Sequence, residues 1–270
     1  VGASANVAAA NGLVLRIDPF GPPHRIEVLA GGAQSTPIGQ AFATPLQVQV
    51  FDVDSRALAN VVVTFTAPGT GASATLAAGG SATTNASGIA TITATANMLA
   101  GSYQLTAVAG AVQTTLALTN NKGPQAALSV AASPAGIVYN GTSALSTTGG
   151  TGTGGVSYAV TAGAENCSVA GTTVTGTRVG TCTITATKAT DANYLEATAT
   201  VDITVAKANQ AVLTASAAPA TIALHGTSTL GATGGSSSGA VSYAVTTGAN
   251  VCSVAGNVLT ATDVGSCTVT

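Results

Sequence analysis

A stretch of 61 residues occurs twice in this chain at a constant spacing, and this duplication constrains the fold more than any other feature. Residues 125–185 align without a gap on residues 210–270, at an offset of 85, and 35 of the 61 positions are identical. A period of that length corresponds to a whole small domain rather than to a single hairpin. The sequence therefore predicts two copies of one domain, of which the second lacks a counterpart of residues 186–209.

Changes in composition predict two further segments. Residues 23–121 form a unit of a different type, which a short hydrophilic linker at 120–124 closes. The repeats follow as a first copy at 122–208 and a second, C-terminally incomplete copy at 209–270. Residues 1–22 match neither type, and we interpret them as an N-terminal arm or as the tail of a preceding domain.

Apolar and polar residues alternate through most of the chain, which is the pattern of half-buried β-strands. In residues 46–50 leucine and valine alternate with glutamine, and in residues 182–187 apolar residues alternate with threonine. We expect about seven such strands in each unit, separated by Gly, Asn, Ser or Pro, as is typical of antiparallel sandwiches. The predicted fold class is all-β: tandem antiparallel β-sandwiches in an elongated array.

The scarcity of charge excludes several kinds of partner. Charged residues make up 6% of the chain, against about 25% in an average soluble domain. A net charge of −2 offers no basic surface of the kind that nucleic acid requires. A membrane-spanning helix needs about 20 nearly continuous apolar residues, and Thr, Ser, Gly or Asn interrupts the apolar runs of this chain. We predict no nucleic-acid partner and no membrane span in this segment.

Four cysteines form two pairs with the same spacing, Cys167 with Cys182 and Cys252 with Cys267. Neither histidine lies at a zinc-ligand spacing from them, so a disulfide within each repeat is favoured over a metal site. A short strand is predicted between the cysteines of a pair, and in a flat meander the outer strands would be about 10 Å apart, too far for a disulfide. We expect each bridge to cross between sheets, or to join strands that become neighbours only after a change of sheet. Persistence of the bond indicates an oxidising, exported location.

No group of residues is typical of a catalytic site, which needs a nucleophile, a base and a residue that orients the base. The two histidines, His24 and His225, fall in different units, and His225 aligns with Asn140 of the first repeat, which favours a turn. The glycine-rich residues 148–155 have no following lysine and no strand-to-helix context for a phosphate loop. We interpret them as a flexible hairpin loop, and we predict that the chain is not an enzyme and needs no cofactor.

The acidic residues are scattered along the chain, and the closest pair is Asp52 and Asp54. This pair is either a weak Ca²⁺ site at a domain end, made of carboxylate oxygens, or a solvated hairpin tip with Arg56 as its partner. Asp191 and Tyr194 are expected to make a local turn before the last strand of the first repeat. We predict no metal site, with Asp52 and Asp54 as weak candidates for Ca²⁺.

Several blocks of the sequence occur in an order typical of one bacterial domain family. In the first unit they are RIEVL at 25–29, GQAFATPL at 39–46, VVVTFTAP at 61–68, TNASGIAT at 84–91 and AGSY at 100–103. This unit resembles the bacterial Ig-like domain of the invasin/intimin type. The family's usual Asp-x-Asn-Gly hairpin is replaced here by DVDSR at 52–56, which bears on any calcium role.

The repeat also resembles a known type of domain. Its blocks are VSYAVT at 156–161, CSV at 167–169, VGTCTITA at 179–186 and DANY at 191–194. They are similar to a second Ig-like repeat of giant bacterial surface proteins. Both resemblances imply Ig-like sandwiches in tandem on a cell surface or in an exported fibre, without catalytic residues.

Three functional hypotheses follow. The leading one is a non-enzymatic extracellular structural segment of a large bacterial surface protein, an adhesin stalk or spacer whose partners are the neighbouring Ig-like domains of the same chain. An alternative is a subunit of a self-assembling extracellular filament or sheath, because the edge strands lack the charges that normally block edge pairing. Its partners would be further copies of itself, joined by the strand donation that the incomplete last unit and the N-terminal arm at residues 1–18 would permit. The third is a carbohydrate- or receptor-binding module, against which the few aromatic residues argue.

Overall fold

The structure, a computed structural model, describes residues 5–8, 14–17 and 20–270, and its regular structure is almost entirely β-strand. The predicted all-β sandwich class is thereby confirmed. The chain divides into two compact units: the described residues up to Ile137 together with Gly141–Val205, and Val138–Asn140 together with Ala206–Thr270. Within the described residues, no helix has the length and apolarity needed to cross a membrane.

Part of the predicted N-terminal arm, residues 1–22, is described. Strand β1 (Ala5–Ala8) pairs antiparallel with β2 (Val14–Ile17) in a sheet of its own. The remaining positions of the arm up to residue 19 lie outside the described residues. The domain boundaries at 23–121, 122–208 and 209–270 stay predictions.

The first sandwich packs its sheets around a shared core. Its strands are β3 (Arg25–Ala30), β4 (Gln34–Pro37), β5 (Leu46–Phe51), β6 (Val62–Thr66), β7 (Ala74–Leu76), β8 (Ser81–Thr83), β9 (Ile89–Ile92), β10 (Ala94–Ala96), β11 (Gly101–Ala109) and β12 (Val112–Asn121), with a 3-10 segment at Ala77–Gly80. One sheet has the order β3-β5-β9, the other has the order β4-β12-β11-β6-β8, and β7 pairs with β10. The number of strands is larger than the seven expected, because one extended segment can pair with two different strands along its length. β9 pairs with β5, and β10, which follows after the single residue Thr93, pairs with β7.

The alternation in the sequence places side chains in this core. In β5 the side chains of Leu46, Val48 and Val50 are fully buried, whereas those of Gln47 and Gln49 are only partly buried. Successive side chains of a strand point to opposite faces, so one face of β5 packs inward and the other lies towards solvent. The core therefore consists mainly of leucine, valine and alanine.

The first repeat is a second sandwich, made of two four-stranded sheets. Its strands are β13 (Leu128–Ser133), β14 (Gly136–Val138), β15 (Thr142–Gly149), β16 (Val156–Ala162), β17 (Cys167–Ala170), β18 (Thr173–Gly176), β19 (Gly180–Lys188) and β20 (Ala197–Ala206). The sheet orders are β13-β15-β18-β17 and β14-β20-β19-β16. Strands of both sheets contribute to one core, in which Leu145, Val174, Ile184 and Ile203 are buried.

The second repeat has the same arrangement with fewer strands. They are β21 (Leu213–Ala218), β22 (Thr227–Gly234), β23 (Val245–Thr247), β24 (Cys252–Ala255), β25 (Val258–Ala261) and β26 (Thr268–Val269). The sheet orders are β21-β22-β25-β24 and β23-β26. Among the described residues of this repeat, no strand corresponds to β14 or β20.

The two repeats share buried contacts as well as sequence. The hydroxyl of Ser143 donates to the carbonyl of Pro134 at 2.6 Å, and its counterpart Ser228 donates to Pro219 at 2.7 Å. Both serines are buried, and a buried hydroxyl needs such a partner to offset the loss of water. The duplication therefore preserves the local path of the chain.

Candidate functional site

The linker at 120–124, between the first sandwich and the first repeat, is held by backbone hydrogen bonds. The N–H of Gly123 donates to the carbonyl of Asn193 at 2.9 Å, and the carbonyl of Gly123 accepts from the N–H of Leu195 at 2.9 Å. Gly123 also forms an isolated parallel bridge with Tyr194. Both polar groups of this linker residue are thus bonded to the loop between β19 and β20.

Gly123 also lies very close to the first sandwich. A Cβ atom at this position would be 2.8 Å from Cγ1 and 3.3 Å from Cδ1 of Ile38. The Ile38 side chain is buried, and its N–H donates to the carbonyl of Asn121 at 3.0 Å. The absence of a side chain therefore permits this close approach.

One side chain connects the two sandwiches directly. Oδ1 of Asn193, in the loop between β19 and β20, accepts a hydrogen bond from the N–H of Ala100 at 2.9 Å. Ala100 lies between β10 and β11 of the first sandwich. The joint therefore combines the backbone bonds of Gly123 with a side-chain bond made by Asn193.

Asp191 fixes the shape of the loop that carries Asn193. Its Oδ2 accepts from the N–H of Thr153 at 2.6 Å and from the Thr153 hydroxyl at 3.1 Å. Its Oδ1 accepts from the N–H groups of Asn193 and Tyr194, each at 2.8 Å. Hydrogen bonds from the backbone of Thr153, Asn193 and Tyr194 lower the pKa of Asp191 from 3.8 to about 2. The turn expected at Asp191 and Tyr194 is thus built on this carboxylate.

The glycine-rich residues 148–155 are not a hairpin loop, and that prediction was wrong. β15, which includes the first two of these residues, and β16, which follows the last, belong to different sheets. The connection is held by Thr153 on Asp191 and by the N–H of Gly152, which donates to Oε1 of Gln125 at 3.1 Å. Glycine content alone does not reveal whether a connection stays within a sheet.

Asn120 anchors the linker on the side of the first sandwich. Its side chain is buried, and its Nδ2 donates to the carbonyls of Ser73 and Leu99 and to Oδ1 of Asn97, at 2.9, 3.1 and 3.0 Å. The hydroxyl of Tyr103 donates to Oδ1 of Asn120 at 3.3 Å, and burial raises the pKa of Tyr103 to about 12. Because this buried amide is bonded at both ends, it holds three loop positions together.

The four cysteines form two disulfides, each within one repeat. Cys167 on β17 is bonded to Cys182 on β19, with their Cα atoms 6.2 Å apart. Cys252 on β24 is bonded to Cys267, which directly precedes β26, at a Cα separation of 6.3 Å. In both repeats the bonded segments belong to different sheets, so each bridge crosses the sandwich.

Asp52 and Asp54 do not share a solvated tip, because the Asp52 side chain is buried. Oδ1 of Asp52 accepts from the N–H groups of Asp54 and Arg56, at 2.9 and 2.8 Å. The Arg56 guanidinium lies 2.9 Å from Oδ2 of Asp54 and 3.9 Å from Oδ2 of Asp52. These contacts fit an ion pair better than a Ca²⁺ ion, which takes 6–8 oxygen ligands. The calcium expectation stays a prediction.

The histidines occupy connecting segments. The N–H of His24, next to β3, donates to the carbonyl of Phe51 at 2.9 Å. His225 and its counterpart Asn140 both have left-handed backbone conformations, with φ of 64° and 61°. Within residues 5–8, 14–17 and 20–270, no three His, Cys, Asp or Glu side chains are grouped so that they could hold a metal ion.

Sequence reasoning missed the two residues on which the joint depends. The sequence indicates Gly123 only as part of the linker at 120–124, and Asn193 only as part of the DANY block at 191–194. That block is the one available signal, since the side chain of an aspartate often bonds to the backbone two residues further on and so stabilises a turn. The partner of Asn193 is the backbone N–H of Ala100, and a contact made by a backbone group cannot be recognised from the residue type.

No protein-family model matches the chain, and no curated protein matches it in sequence. Among solved structures it is similar to invasin, a bacterial integrin-binding protein, at 19% identity and a TM-score of 0.38, over 91% of this chain and 55% of that chain. It is also similar to the adhesin InvE of Yersinia pseudotuberculosis, at 15% identity and a TM-score of 0.36, over 71% and 65%. For domains 4–9 of the surface layer protein SbsC the identity is 17% and the TM-score 0.31, over 75% and 34%. The chain thus spans about a third of the SbsC piece and just over half of invasin, and none of these likenesses decides its function.

Proposed function

We propose that this chain is a non-enzymatic structural segment of an extracellular bacterial surface protein, in which tandem sandwiches serve as a spacer or stalk. The observation that carries the proposal is the hydrogen-bonded joint between the first sandwich and the first repeat. Gly123 is hydrogen-bonded on both of its backbone polar groups, and Asn193 bonds to Ala100 across the joint. A spacer needs such fixed joints, because a flexible linker lets the distance between its ends vary widely.

The cross-sheet disulfides support an exported structural role. Each repeat carries one bridge within a thin core, and in the chain-entropy model a loop of this length contributes about 3 kcal/mol. Disulfides persist in oxidising compartments outside the cytosol. Intact bridges are therefore expected in protein recovered from the surface of producing cells, and free thiols there would contradict the extracellular location.

The spacer function is tested by measuring the distance between the two sandwiches in solution. Spin labels on non-natural residues at the exposed positions Thr115 of β12 and Thr200 of β20 leave the disulfides intact. A fixed joint gives a single narrow distance distribution by pulsed electron paramagnetic resonance. A broad distribution for the unmodified chain would exclude a spacer with a fixed joint.

A further inference from the structure

The chain contains a single methionine, Met98. All four cysteines of the sequence are joined in two disulfides, so the thioether of Met98 is the only sulfur atom outside a disulfide bond. Its side chain is open to solvent, because Met98 is 55% exposed. Oxidants attack thiolates and exposed thioethers, and the chain in this state has no thiol to offer. Met98 is therefore the sulfur on which an oxidant in solution acts first.

Met98 lies in a loop that contributes to the joint between the first sandwich and the first repeat. This loop connects β10 to β11. Directly after Met98, the carbonyl of Leu99 accepts a hydrogen bond at 3.1 Å from Nδ2 of Asn120, the buried amide that anchors the linker. The next N–H, that of Ala100, donates to Oδ1 of Asn193. The two residues that follow Met98 therefore both make hydrogen bonds on which the joint depends.

The sulfur atom of Met98 packs against a second segment of the joint, the connection between β4 and β5. A Cβ atom on Gly39 would lie 3.0 Å from Sδ of Met98, so the thioether covers the backbone of Gly39. Gly39 directly follows Ile38, the residue whose side chain lies against Gly123. The N–H of Gly39 donates to the carbonyl of Asn97 at 3.2 Å. Met98 thus lies between two connections that both contact the joint.

Oxidation changes the chemical character of this packing contact. A thioether is apolar and polarisable and packs well on irregular surfaces, whereas a sulfoxide is polar. A polar oxygen that is covered needs a hydrogen-bond donor to offset the loss of water. The only donor of Gly39, its N–H, is already bonded to Asn97. The oxidised side chain of Met98 is therefore expected to turn to solvent and to leave Gly39 uncovered.

We propose that Met98 is a reversible oxidation site whose sulfoxide loosens the joint. The oxidant is hydrogen peroxide: a lone pair of Sδ forms a bond to one peroxide oxygen as the O–O bond breaks. The proton of the transferred oxygen passes to the departing oxygen, which leaves as water, so the sulfur is oxidised and the peroxide is reduced. Methionine sulfoxide reductases restore the thioether. This inference rests on the proposed spacer function, because it makes the joint of the spacer sensitive to oxidants outside the cell.

The test treats the 270-residue chain with hydrogen peroxide, removes the peroxide and then attaches the spin labels at Thr115 and Thr200. Mass spectrometry of peptides locates the added oxygen atom, which we expect on Met98 at nearly the same rate in the folded chain and in urea. The distance distribution should then lose its single narrow maximum, and hydrogen exchange at the amide of Ala100 should become faster. Treatment with methionine sulfoxide reductases should reverse both changes.

Two variants separate the oxidation of Met98 from other effects of the treatment. Met98→Leu keeps an apolar side chain of similar volume and has no sulfur to oxidise, so its distance distribution should stay narrow after peroxide. Met98→Gln places a polar side chain of similar length at this position and should widen the distribution without peroxide. Circular dichroism verifies that both variants are folded.

Three results would overturn the proposal. The first is a folded chain in which Met98 resists a peroxide treatment that oxidises it rapidly in urea. The second is complete oxidation of Met98 without faster exchange at Ala100. The third is an equal change in Met98→Leu after peroxide, because the oxidant would then act elsewhere. A broad distribution before any treatment contradicts the spacer function instead, and exchange at Ala100 then still decides whether oxidation weakens the joint.

Discussion

The side-chain oxygen of Asn193 accepts a hydrogen bond from the backbone amide of Ala100, a residue 93 positions earlier in the chain. We predict that Asn193→Ala removes this bond and widens the distance distribution between labels at Thr115 and Thr200. The loss of one such hydrogen bond costs about 1 kcal/mol, so each sandwich should remain folded. Pulsed electron paramagnetic resonance measures the distribution, and circular dichroism measures the fold.

Asn85→Ala is the matched control for this change. Oδ1 of Asn85 accepts from the N–H groups of Ser87 and Ile89 within the first sandwich, at 2.9 and 3.1 Å. The control removes hydrogen bonds between an asparagine side-chain oxygen and backbone N–H groups without changing the joint. Equal widening in both variants would show that Asn193 has no special role in holding the sandwiches together.

Gly123→Ala should destabilise the joint, because the added Cβ would lie 2.8 Å from Cγ1 of Ile38. Overpacking of this kind costs about 1–3 kcal/mol, measurable by urea unfolding. Gly155→Ala is the control, since a Cβ there meets no atom within 4 Å and Ala240 occupies the equivalent position of the second repeat.

The cause of the Gly123 effect can be isolated with a double-mutant cycle. Ile38→Ala removes the atoms that clash, so Gly123→Ala should cost much less in that background than in the unmodified chain. Purely additive effects would mean that Ile38 is not the source of the strain.

The Asp191 carboxylate makes the joint sensitive to acid. Because the folded state lowers its pKa to about 2, below the ordinary value of 3.8, its stabilising effect is complete above about pH 4 and is lost as the pH falls towards 2. Asp191→Asn should therefore lower the melting temperature at pH 5 and have little effect near pH 2. Thermal unfolding at pH 5, 3 and 2 measures this, with Glu165→Gln, an exposed position of the same sandwich, as the control. A difference between the unmodified chain and Asp191→Asn that is the same at all three pH values would contradict the role of the charge.

The two disulfides should differ in their resistance to reduction. Cys182 is 1% exposed, whereas Cys267 is partly exposed and borders a cavity of about 370 Å³. Exchange requires access of a thiolate to a sulfur atom, so Cys252–Cys267 is expected to be reduced first. Differential alkylation followed by mass spectrometry distinguishes the pairs, and in denaturant both should react at similar rates. Earlier reduction of Cys167–Cys182 in the folded chain would be the contrary result.

The parts of the fold that repeat a simple pattern could be predicted from the sequence. The alternation around Val48 indicates a half-buried strand, because the side-chain period of a strand is two. The spacing of Cys167 and Cys182 argued against a flat meander, and the structure has them on strands of different sheets. In both cases the constraint is local or depends on a known covalent geometry.

The contacts of the joint could not be predicted in this way. The hydrogen bond between Asn193 and Ala100 depends on where two sandwiches meet, and its donor is a backbone N–H, which every residue except proline carries. The burial of Asp52 likewise follows from the packing of the chain around it, whereas its sequence neighbours suggested a solvated turn. Such features arise from tertiary placement rather than from local propensity.

The contacts of Gly123 also determine how this part of the chain responds to tension. Nine residue pairs join β19 to β20, whereas Gly123 is attached to the same sandwich by two backbone hydrogen bonds. A pull along the chain acts on these few bonds first, because regions with few bonds open at lower free energy than a long ladder. We therefore expect the linker to give way before either sandwich unravels, and its bonds to form again when the pull ends.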